Sequence, residues 1–413
     1  MSGQGELFDA VVVGGGPAGA TAASELAKAG RAVLLLDKAG RIKPCGGAVP
    51  PRLIRDFQIP ERLICARIRS ARMVAPSQRE VDMPIDSGDG GYVGMVDRDV
   101  FDEFLRERAA QHGALRRTGT FLHITRDAAK DSAKDLGRDA CAQVHYRTAA
   151  GEESVRARLI IGADGALSQV ARQEIDAKGP PCVFAYHEIV RAPAAADRQD
   201  PDARAFSGSR CDVVYDGAIS PDFYGWVFPH GATASVGAGS AQKGFGLRGA
   251  VTALRAASGL GSVETVRREG APIPMKPLAR WDNGRDVLLA GDAAGVVAPA
   301  SGEGIYYAMV GGQVAAQAGH GFLETGDART LRLARKSFMK QHGRVFWILG
   351  MMQYFWYKND RRRERFVSIC RDPDVQALTW QAYMNKELVR AKPAAHVRIF
   401  FKDVAHLLGF GAP

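Results

Sequence analysis

Val11-Val12-Val13-Gly14-Gly15-Gly16-Pro17-Ala18-Gly19 runs from a short β-branched stretch straight into a glycine turn, and Thr21 to Lys28 follows as a predicted helix. The pattern is G-x-G-x-x-G in the setting that gives it meaning, with a strand before it and a helix after it. Gly14 permits a tight turn, Gly16 lets a pyrophosphate approach the backbone, and Gly19 lets the helix pack closely on the sheet. Phosphate oxygens then meet the free N–H groups of the helix N-terminus. A second apolar strand, Ala32 to Leu36, ends in Asp37, where a carboxylate accepts hydrogen bonds from an adenosine ribose and disfavours a 2′-phosphate. The motif leaves the dinucleotide open, because NAD and FAD present the same adenosine diphosphate half to it.

Segments far along the chain decide between them. Asp286-Val287-Leu288-Leu289-Ala290-Gly291-Asp292 is a third short apolar strand ending in Gly-Asp, and Pro299-Ala300-Ser301-Gly302-Glu303-Gly304-Ile305 leads into a long helix from about Tyr306. A carboxylate there suits a polyol chain, and the helix start offers its positive end to the anion of a reduced flavin. A further strand, Ala157 to Ile161, ends in Gly162-Ala163-Asp164-Gly165, with Ser168 and Arg172 following. Taken in this order, the three elements resemble the FAD fold of the hydroxybenzoate-hydroxylase-like flavoproteins. The expected fold class is α/β: a Rossmann-like FAD-binding domain with an interleaved antiparallel-sheet substrate domain and a helical C-terminal extension. FAD-binding segments are expected at 1–75, 98–178 and 270–328, the substrate-binding sheet at 76–97 and 179–269, and the extension at 329–413. Asp127 to Asp139 reads as a polar surface loop.

Two motifs narrow the resemblance. Lys43-Pro44-Cys45-Gly46-Gly47-Ala48 and Tyr224-Gly225-Trp226-Val227-Phe228-Pro229, the latter followed by Val236-Gly237-Ala238-Gly239, are similar to those of the geranylgeranyl reductases; Gly94-Met95-Val96-Asp97-Arg98 with Phe101-Asp102 also follows that family. Trp356-Tyr357-Lys358-Asn359-Asp360, Leu378-Thr379-Trp380 and Tyr383-Met384-Asn385-Lys386-Glu387 resemble its chlorophyll and bacteriochlorophyll branch. The resemblance covers nearly the whole chain. It implies an FAD-dependent reductase that saturates three of the four double bonds of the geranylgeranyl chain of geranylgeranyl-bacteriochlorophyll, giving the phytyl chain. Free geranylgeranyl diphosphate is a possible further substrate, although no aspartate-rich Mg²⁺ site accompanies it. It also implies that Gly14, Gly16, Ala18 and Gly19 hold the pyrophosphate, Asp37 the ribose, and Arg98 the phosphate and ribityl region. Asp292, Gly304 and Ile305 fall at the Gly-Asp motif and the following helix start, the backbone at Cys45 and Gly46 approaches the flavin, and the main chain of Leu122 faces adenine. Asp37 departs from the family's more usual glutamate. His230 stands where relatives outside the pigment branch often carry lysine.

An isolated prenyl alkene is electron-rich and accepts hydride poorly, so a proton must be delivered with it. Cys45 and Tyr224 are the candidate donors, with Trp226 and Phe228 along a prenyl channel. The alternatives are that Cys45 only shapes the cavity and that the three aromatic residues are core of a strand. His187-Glu188 reads as a sheet-surface pair. With a single dinucleotide fingerprint, the electron donor, NADPH or reduced ferredoxin, docks transiently. An aromatic hydroxylase on the same scaffold and a redox-silent prenyl-lipid carrier are the competing readings.

Composition is compatible with this: 413 residues, 46% hydrophobic, can bury large cores. The six cysteines show no C-x-x-C and no paired spacing, which suggests neither disulfides nor zinc and fits a reducing cytoplasm; no metal is expected. Met1 to Asp9 lacks the basic and apolar regions of a secretion signal. Residues 329–413 hold 17 Lys+Arg against 6 Asp+Glu, while the rest of the chain balances 38 against 39. Within that basic tail, Val345 to Tyr357 is an uncharged aromatic-rich run, too short to span a bilayer, which needs about 20 apolar residues. It suits a helix lying on an anionic leaflet, here a photosynthetic intracytoplasmic membrane. It suits equally a helix packed on the substrate domain with Arg361 to Arg363 solvated. No nucleic-acid module accompanies the charge, and oligomeric state leaves no trace in the sequence.

Overall fold

The computed structural model describes residues 6–38, 40, 42–85, 91–126, 141–176, 178–193 and 206–386. The expected loop at 127–139 and residues 387–413 of the tail lie outside them. The chain divides into two compact units, one of 1–43, 99–182 and 273–346, the other of 44–98, 183–272 and 347–413. Residues 44–75, expected with the FAD-binding segments, thus group with the second unit.

The first unit is built on a seven-stranded sheet. Leu7–Val13 lies between Val33–Asp37 and Gly151–Gly162, parallel to both; Leu115–Thr118 extends one side and Val287–Leu289 the other. The strands are near-continuous apolar runs with Val11, Val12, Leu34 to Leu36 and Leu159 to Ile161 fully buried, as a parallel sheet covered on both faces requires. Gly151–Gly162 is long enough to serve twice: its first half carries the antiparallel ladder to Ala142–Thr148, and its last three residues pair with Val287–Leu289.

Register does the positioning. Val13 lies opposite both Leu36 and Gly162, and Gly162 opposite Leu289, so four strands end at one edge. The glycine turn, Asp37, Ala163-Asp164 and Gly291-Asp292 all emerge there, where doubly wound sheets bind their ligands. The helix after the turn spans Pro17–Lys28. It begins four residues before the sequence expectation of Thr21, because Pro17 at its first position has φ preset for a helix and lacks only an N–H that would be unpaired anyway.

Helix Ile305–Thr325 packs on Pro17–Lys28 through small residues. A Cβ on Gly312 would stand 2.3 Å from Ala18 O, and one on Gly291, whose φ is +64°, would stand 2.6 Å from the Ala18 methyl. Ala18 is therefore closed in by two glycines.

The second unit holds a seven-stranded sheet in the order Thr265–Pro274, Cys182–Arg191, Thr233–Ser240, Gly225–His230, Arg210–Val214, Ser70–Val74, Glu80–Pro84. It is antiparallel except between Arg210–Val214 and Ser70–Val74, a pair joined by a connection long enough to return the chain in the same direction. Helix Leu247–Ala257 covers one face, where Val251 and Leu254 join Val227, Val236 and Ala238 in one core. A small sheet of Ala48–Val49, Val93–Met95 and Ala66–Ile68 stands beside it in sequence and shares this unit.

The aromatic run of the tail lies in helix Arg332–Trp356. No helix among the described residues is long and apolar enough to cross a membrane. Arg363 corrects the expectation of a solvated basic cluster. It is 2% exposed and donates to the carbonyls of Pro221 and Tyr357 and to Asp360, because helix Asp360–Ile369 turns it inward towards those acceptors.

Replacing Gly312 by alanine should destabilise the first unit by about 1–3 kcal/mol through overpacking. The Ala18 turn should shift with it, so urea unfolding and retained flavin absorbance should fall together.

Candidate active site

The glycine turn shows what each of its residues is for. Gly14 has φ +105°, and a Cβ on it would lie 2.4 Å from Ala163 O; on Gly19 a Cβ would lie 1.8 Å from Gly14 O. Gly14 N–H donates to Leu36 O at 2.8 Å, and Ala163 N–H to Val13 O at 2.8 Å, so turn and strand ends are one fabric. Gly16 differs: a Cβ there meets nothing within 4 Å. As the N-cap of Pro17–Lys28 it has extended backbone and no capping side chain. Open room in front of uncapped helical N–H groups fits the pyrophosphate of FAD.

Asp37 ends its strand at this edge. Arg106 Nη1 lies 3.4 Å from Asp37 Oδ2 and 3.3 Å from Gly15 O. Burial pushes the Asp37 carboxyl up from its ordinary range, against the Gly15 N–H and Arg106, which pull it down; donating ribose hydroxyls would favour the charged form in the same way. Arg106 is not legible in the sequence, since nothing in helix Arg98–Gln111 separates it from neighbouring arginines. At the other side of the edge, Asp292 forms an ion pair with Lys43, the residue that opens the Pro-Cys-Gly-Gly motif. A Cβ on Gly304, the N-cap of Ile305–Thr325, would stand 3.7 Å from Asp292 Oδ1, so carboxylate and uncapped helix start adjoin. Asp164 serves the local fold, accepting from Ser168 Oγ at 2.5 Å and from Gln169 N–H at 2.7 Å at the start of helix Gln169–Glu174.

Leu122 sits at a bulge, where the ladder skips from His123–His145 to Phe121–Tyr146. Its carbonyl is already taken by Gln173 Nε2 at 2.8 Å. Gly14, Gly16, Ala18, Gly19, Asp37, Leu122, Asp292, Gly304 and Ile305 all belong to the first unit, and Cys45, Gly46, Arg98, Tyr224 and Trp226 to the second. Arg98 is buried at the head of its helix.

In the second unit, Cys45 Sγ accepts the Gly47 N–H at 3.4 Å, and a Cβ on Gly46 would stand 3.0 Å from the Phe228 ring. The motif is thus laid against the strand Gly225–His230. Tyr224, Trp226 and Phe228 form a row, with ring centroids 6.0 and 6.4 Å apart. Trp226 lies flat over Gly237, where a Cβ would be 2.2 Å from the indole. Its Nε1–H donates to Ser235 Oγ at 3.1 Å; Ser235 lies 2.9 Å from His187 Nδ1, and His187 Nε2 lies 2.9 Å from Glu269. His187 is therefore no surface residue, and its carboxylate partner is Glu269 and not Glu188, because alternation along Cys182–Arg191 turns His187 and Glu188 to opposite faces. Glu188 is bound instead to Arg255 and Tyr186.

Among the described residues two groups of potential metal ligands come together, Cys65 with Asp97 and His230, and His123 with His145 and Glu152. In the first, the ligand atoms are engaged with one another and with backbone carbonyls.

Residues 8–203 match the FAD binding domain family. The chain is 55% identical to a geranylgeranyl diphosphate reductase of Rhodobacter capsulatus over 98% of its own length and 99% of that protein's. It belongs to the geranylgeranyl reductase family. A Synechocystis protein of the same name is 36% identical, over 96% of this chain and 97% of that one. A geranylgeranyl bacteriochlorophyll reductase-like protein from Thermoplasma acidophilum, 22% identical, superposes with a TM-score of 0.76 over 94% of this chain and 99% of that one. The flavin-dependent brominase Bmp2, 17% identical, gives 0.70 over 97% and 100%; both share the fold. The reductase is an FAD enzyme, and the residues around Gly16 fit that cofactor.

Gly16→Val separates folding from cofactor binding in this reductase. The backbone of Gly16 is one valine adopts and no neighbour lies within 4 Å of the added Cβ, so stability should stay within about 1 kcal/mol. The purified variant should be colourless; a yellow protein of normal flavin content would place the pyrophosphate elsewhere.

Proposed function

We propose that this reductase saturates three double bonds of the geranylgeranyl chain of geranylgeranyl-bacteriochlorophyll, and that geranylgeranyl diphosphate is a further substrate. The full-length 55% identity carries the geranylgeranyl chain. The likeness of Trp356 to Asp360 and Leu378 to Glu387 to the pigment branch carries the tetrapyrrole. NADPH or reduced ferredoxin supplies electrons by transient docking, since the sequence has one dinucleotide fingerprint and FAD takes it.

Reduced FAD, when bound, supplies a hydride donor. The protein has to make the alkene accept it. Cys45 delivers the proton, and the Gly47 N–H that its sulfur accepts stabilises the negative charge left behind; Tyr224 is the second candidate. As one alkene carbon takes the proton, its partner becomes a tertiary cationic centre, which the faces of Trp226 and Phe228 stabilise by about 0.5–2 kcal/mol. Asp37, Gly16 and Asp292 fix the ribose, pyrophosphate and ribityl chain, with Arg98 in the phosphate and ribityl region, Leu122 facing adenine, and Gly304, Ile305 and the backbone at Cys45 and Gly46 towards the flavin.

The protein works on the surface of the photosynthetic membrane, from its cytoplasmic side. Trp347, Met351 and Tyr354 are 65%, 40% and 67% exposed at helical spacing in Arg332–Trp356, while Phe346 and Trp356 are buried. The tail thus has a packed side and an outward apolar stripe, and Arg361 on the following helix is exposed, a combination that suits the headgroup region of an anionic leaflet.

Anaerobic protein given dithionite and geranylgeranyl-bacteriochlorophyll should yield tails heavier by successive pairs of hydrogens, resolved by chromatography and mass. Flavin reduction with an unchanged tail would remove the pigment from the reading. Cys45→Ala should slow turnover by about 10²–10⁴-fold with flavin content intact; a smaller effect moves the acid role to Tyr224. A Trp347→Ser/Met351→Ser/Tyr354→Ser variant should no longer co-float with vesicles containing anionic lipid, while still reducing detergent-dispersed substrate.

A further inference from the structure

Tyr215 to Tyr224 joins strand Arg210–Val214 to strand Gly225–His230 and ends on the first ring of the aromatic row. Within the second unit this connection is gripped from two sides. On the side of the sheet, Ser220 Oγ donates to Gly239 O at 2.6 Å and accepts the Phe223 N–H at 2.8 Å. On the other side it meets the tail. Asp360 Oδ1 accepts the Gly217 N–H at 2.9 Å, and the buried Arg363 donates through Nη1 to that same carboxylate oxygen and through Nη2 to the carbonyls of Pro221 and Tyr357. One planar guanidinium thus ties the connection to the tail, with separate nitrogens for separate acceptors. The fit is close: a Cβ on Gly217 would stand 2.8 Å from Asp360 Oδ1 and 2.9 Å from Arg363 Nη1.

The stretch Trp356-Tyr357-Lys358-Asn359-Asp360 supplies the rest of the clamp. Asn359 caps helix Asp360–Ile369, its side chain accepting the Arg362 N–H at 3.0 Å, and so fixes the start of the turn on which Asp360 and Arg363 stand three residues apart. Tyr357 is buried, with its hydroxyl 3.4 Å from that of Tyr215. The Tyr215 ring lies 5.2 Å from Tyr357, 5.0 Å and edge-on from Phe366, and 6.1 Å from Tyr224. At one end the aromatic row therefore meets the Cys45 motif, where Phe228 lies against Gly46. At the other, Tyr224 runs on through Tyr215 into the tail.

We infer that Arg363 is a positioning residue of the reductase: its clamp with Asp360 holds the connection at 217–221 and thereby fixes Tyr224 at the end of the aromatic row remote from Cys45. The inference rests on the proposed role of that row along the prenyl chain. Arg363 needs no contact with chain or cofactor, and the tail serves the substrate-binding unit as well as the membrane surface.

The test is steady-state reduction of detergent-dispersed geranylgeranyl-bacteriochlorophyll by Arg363→Met, Arg363→Lys and Gly217→Ala, with hydrogen exchange of the peptide covering 216–224 measured without substrate. Methionine keeps an apolar stem and offers the carbonyls no donor. Alanine at 217 removes no group of the tail and presses on the clamp from the other side, so it carries the test if Arg363→Met does not fold. Both should raise KM roughly tenfold, the worth of one well-placed aromatic contact, with kcat within about twofold, as loss of uniform binding requires. Flavin content should stay normal and exchange at 216–224 should quicken. Arg363→Lys, which can still donate to the two carbonyls, should fall between wild type and Arg363→Met. Quickened exchange with KM and kcat both unchanged would make the clamp a matter of folding only; that result, a lower kcat at constant KM, or a lysine variant no better than methionine would overturn the role. Quickened exchange in the variants of a protein whose wild type reduces no prenyl chain would sustain the clamp and overturn the functional reading alone.

Discussion

The carboxyl edge of the first unit depends on backbone meeting backbone with no side chain between. Gly19 passes so close to Gly14 O that a methyl group would stand 1.8 Å from it, and Gly312 does the same against Ala18 O. Such contacts leave nothing to repack, because the obstructing atoms are carbonyls held in a parallel sheet and a helix. Three features of that edge inherit their position from them: the uncapped start of Pro17–Lys28, Asp37 at the end of the neighbouring strand, and Asp292 one residue past Gly291, which itself leans on Ala18. Register between four strands turns one steric constraint into a common edge.

The second unit solves a different problem. Its aromatic row of Tyr224, Trp226 and Phe228 is set from behind by the neighbouring strands. Gly237 removes the Cβ that would lift the indole of Trp226, and the run Trp226–Ser235–His187–Glu269 fixes its edge with hydrogen bonds. With the His187 proton on Nε2 the chain takes a consistent direction, indole N–H to serine oxygen, serine hydroxyl to Nδ1, and Nε2–H to carboxylate. Each buried polar group is thereby satisfied, which is the condition for keeping a histidine and a serine inside a sheet.

The parts of this molecule legible in its sequence are those where backbone geometry allows few residue types. Gly14, Gly16 and Gly19 with a strand before them, Asp37 at the next strand end and the Gly-Asp at 291–292 each answer to one local requirement, so fold and cofactor can be read from them. Arg106, Lys43 and Gln173 cannot: their partners Asp37, Asp292 and Leu122 lie 69, 249 and 51 residues away, and a lone arginine, lysine or glutamine announces no partner. His187 misleads for a related reason. A histidine beside a glutamate in a strand suggests a pair, yet period-two alternation turns neighbours to opposite faces, so the partner has to come from another strand.

The tail shows where a one-dimensional reading has to stop. Val345 to Tyr357 carries no charge to divide one face from the other, and its aromatic residues are as suited to a core as to a membrane surface. The division arises only once the helix is wound and one side finds packing, leaving Phe346 and Trp356 inside and Trp347, Met351 and Tyr354 outside. Arg361 and Arg363, two residues apart on the next helix, part in the same way, one in solvent and the other holding the carbonyls of Pro221 and Tyr357. Net charge summed over the tail therefore overstates what an anionic surface would meet, and an apolar stripe only three residues wide must work together with the arginines that do remain outside.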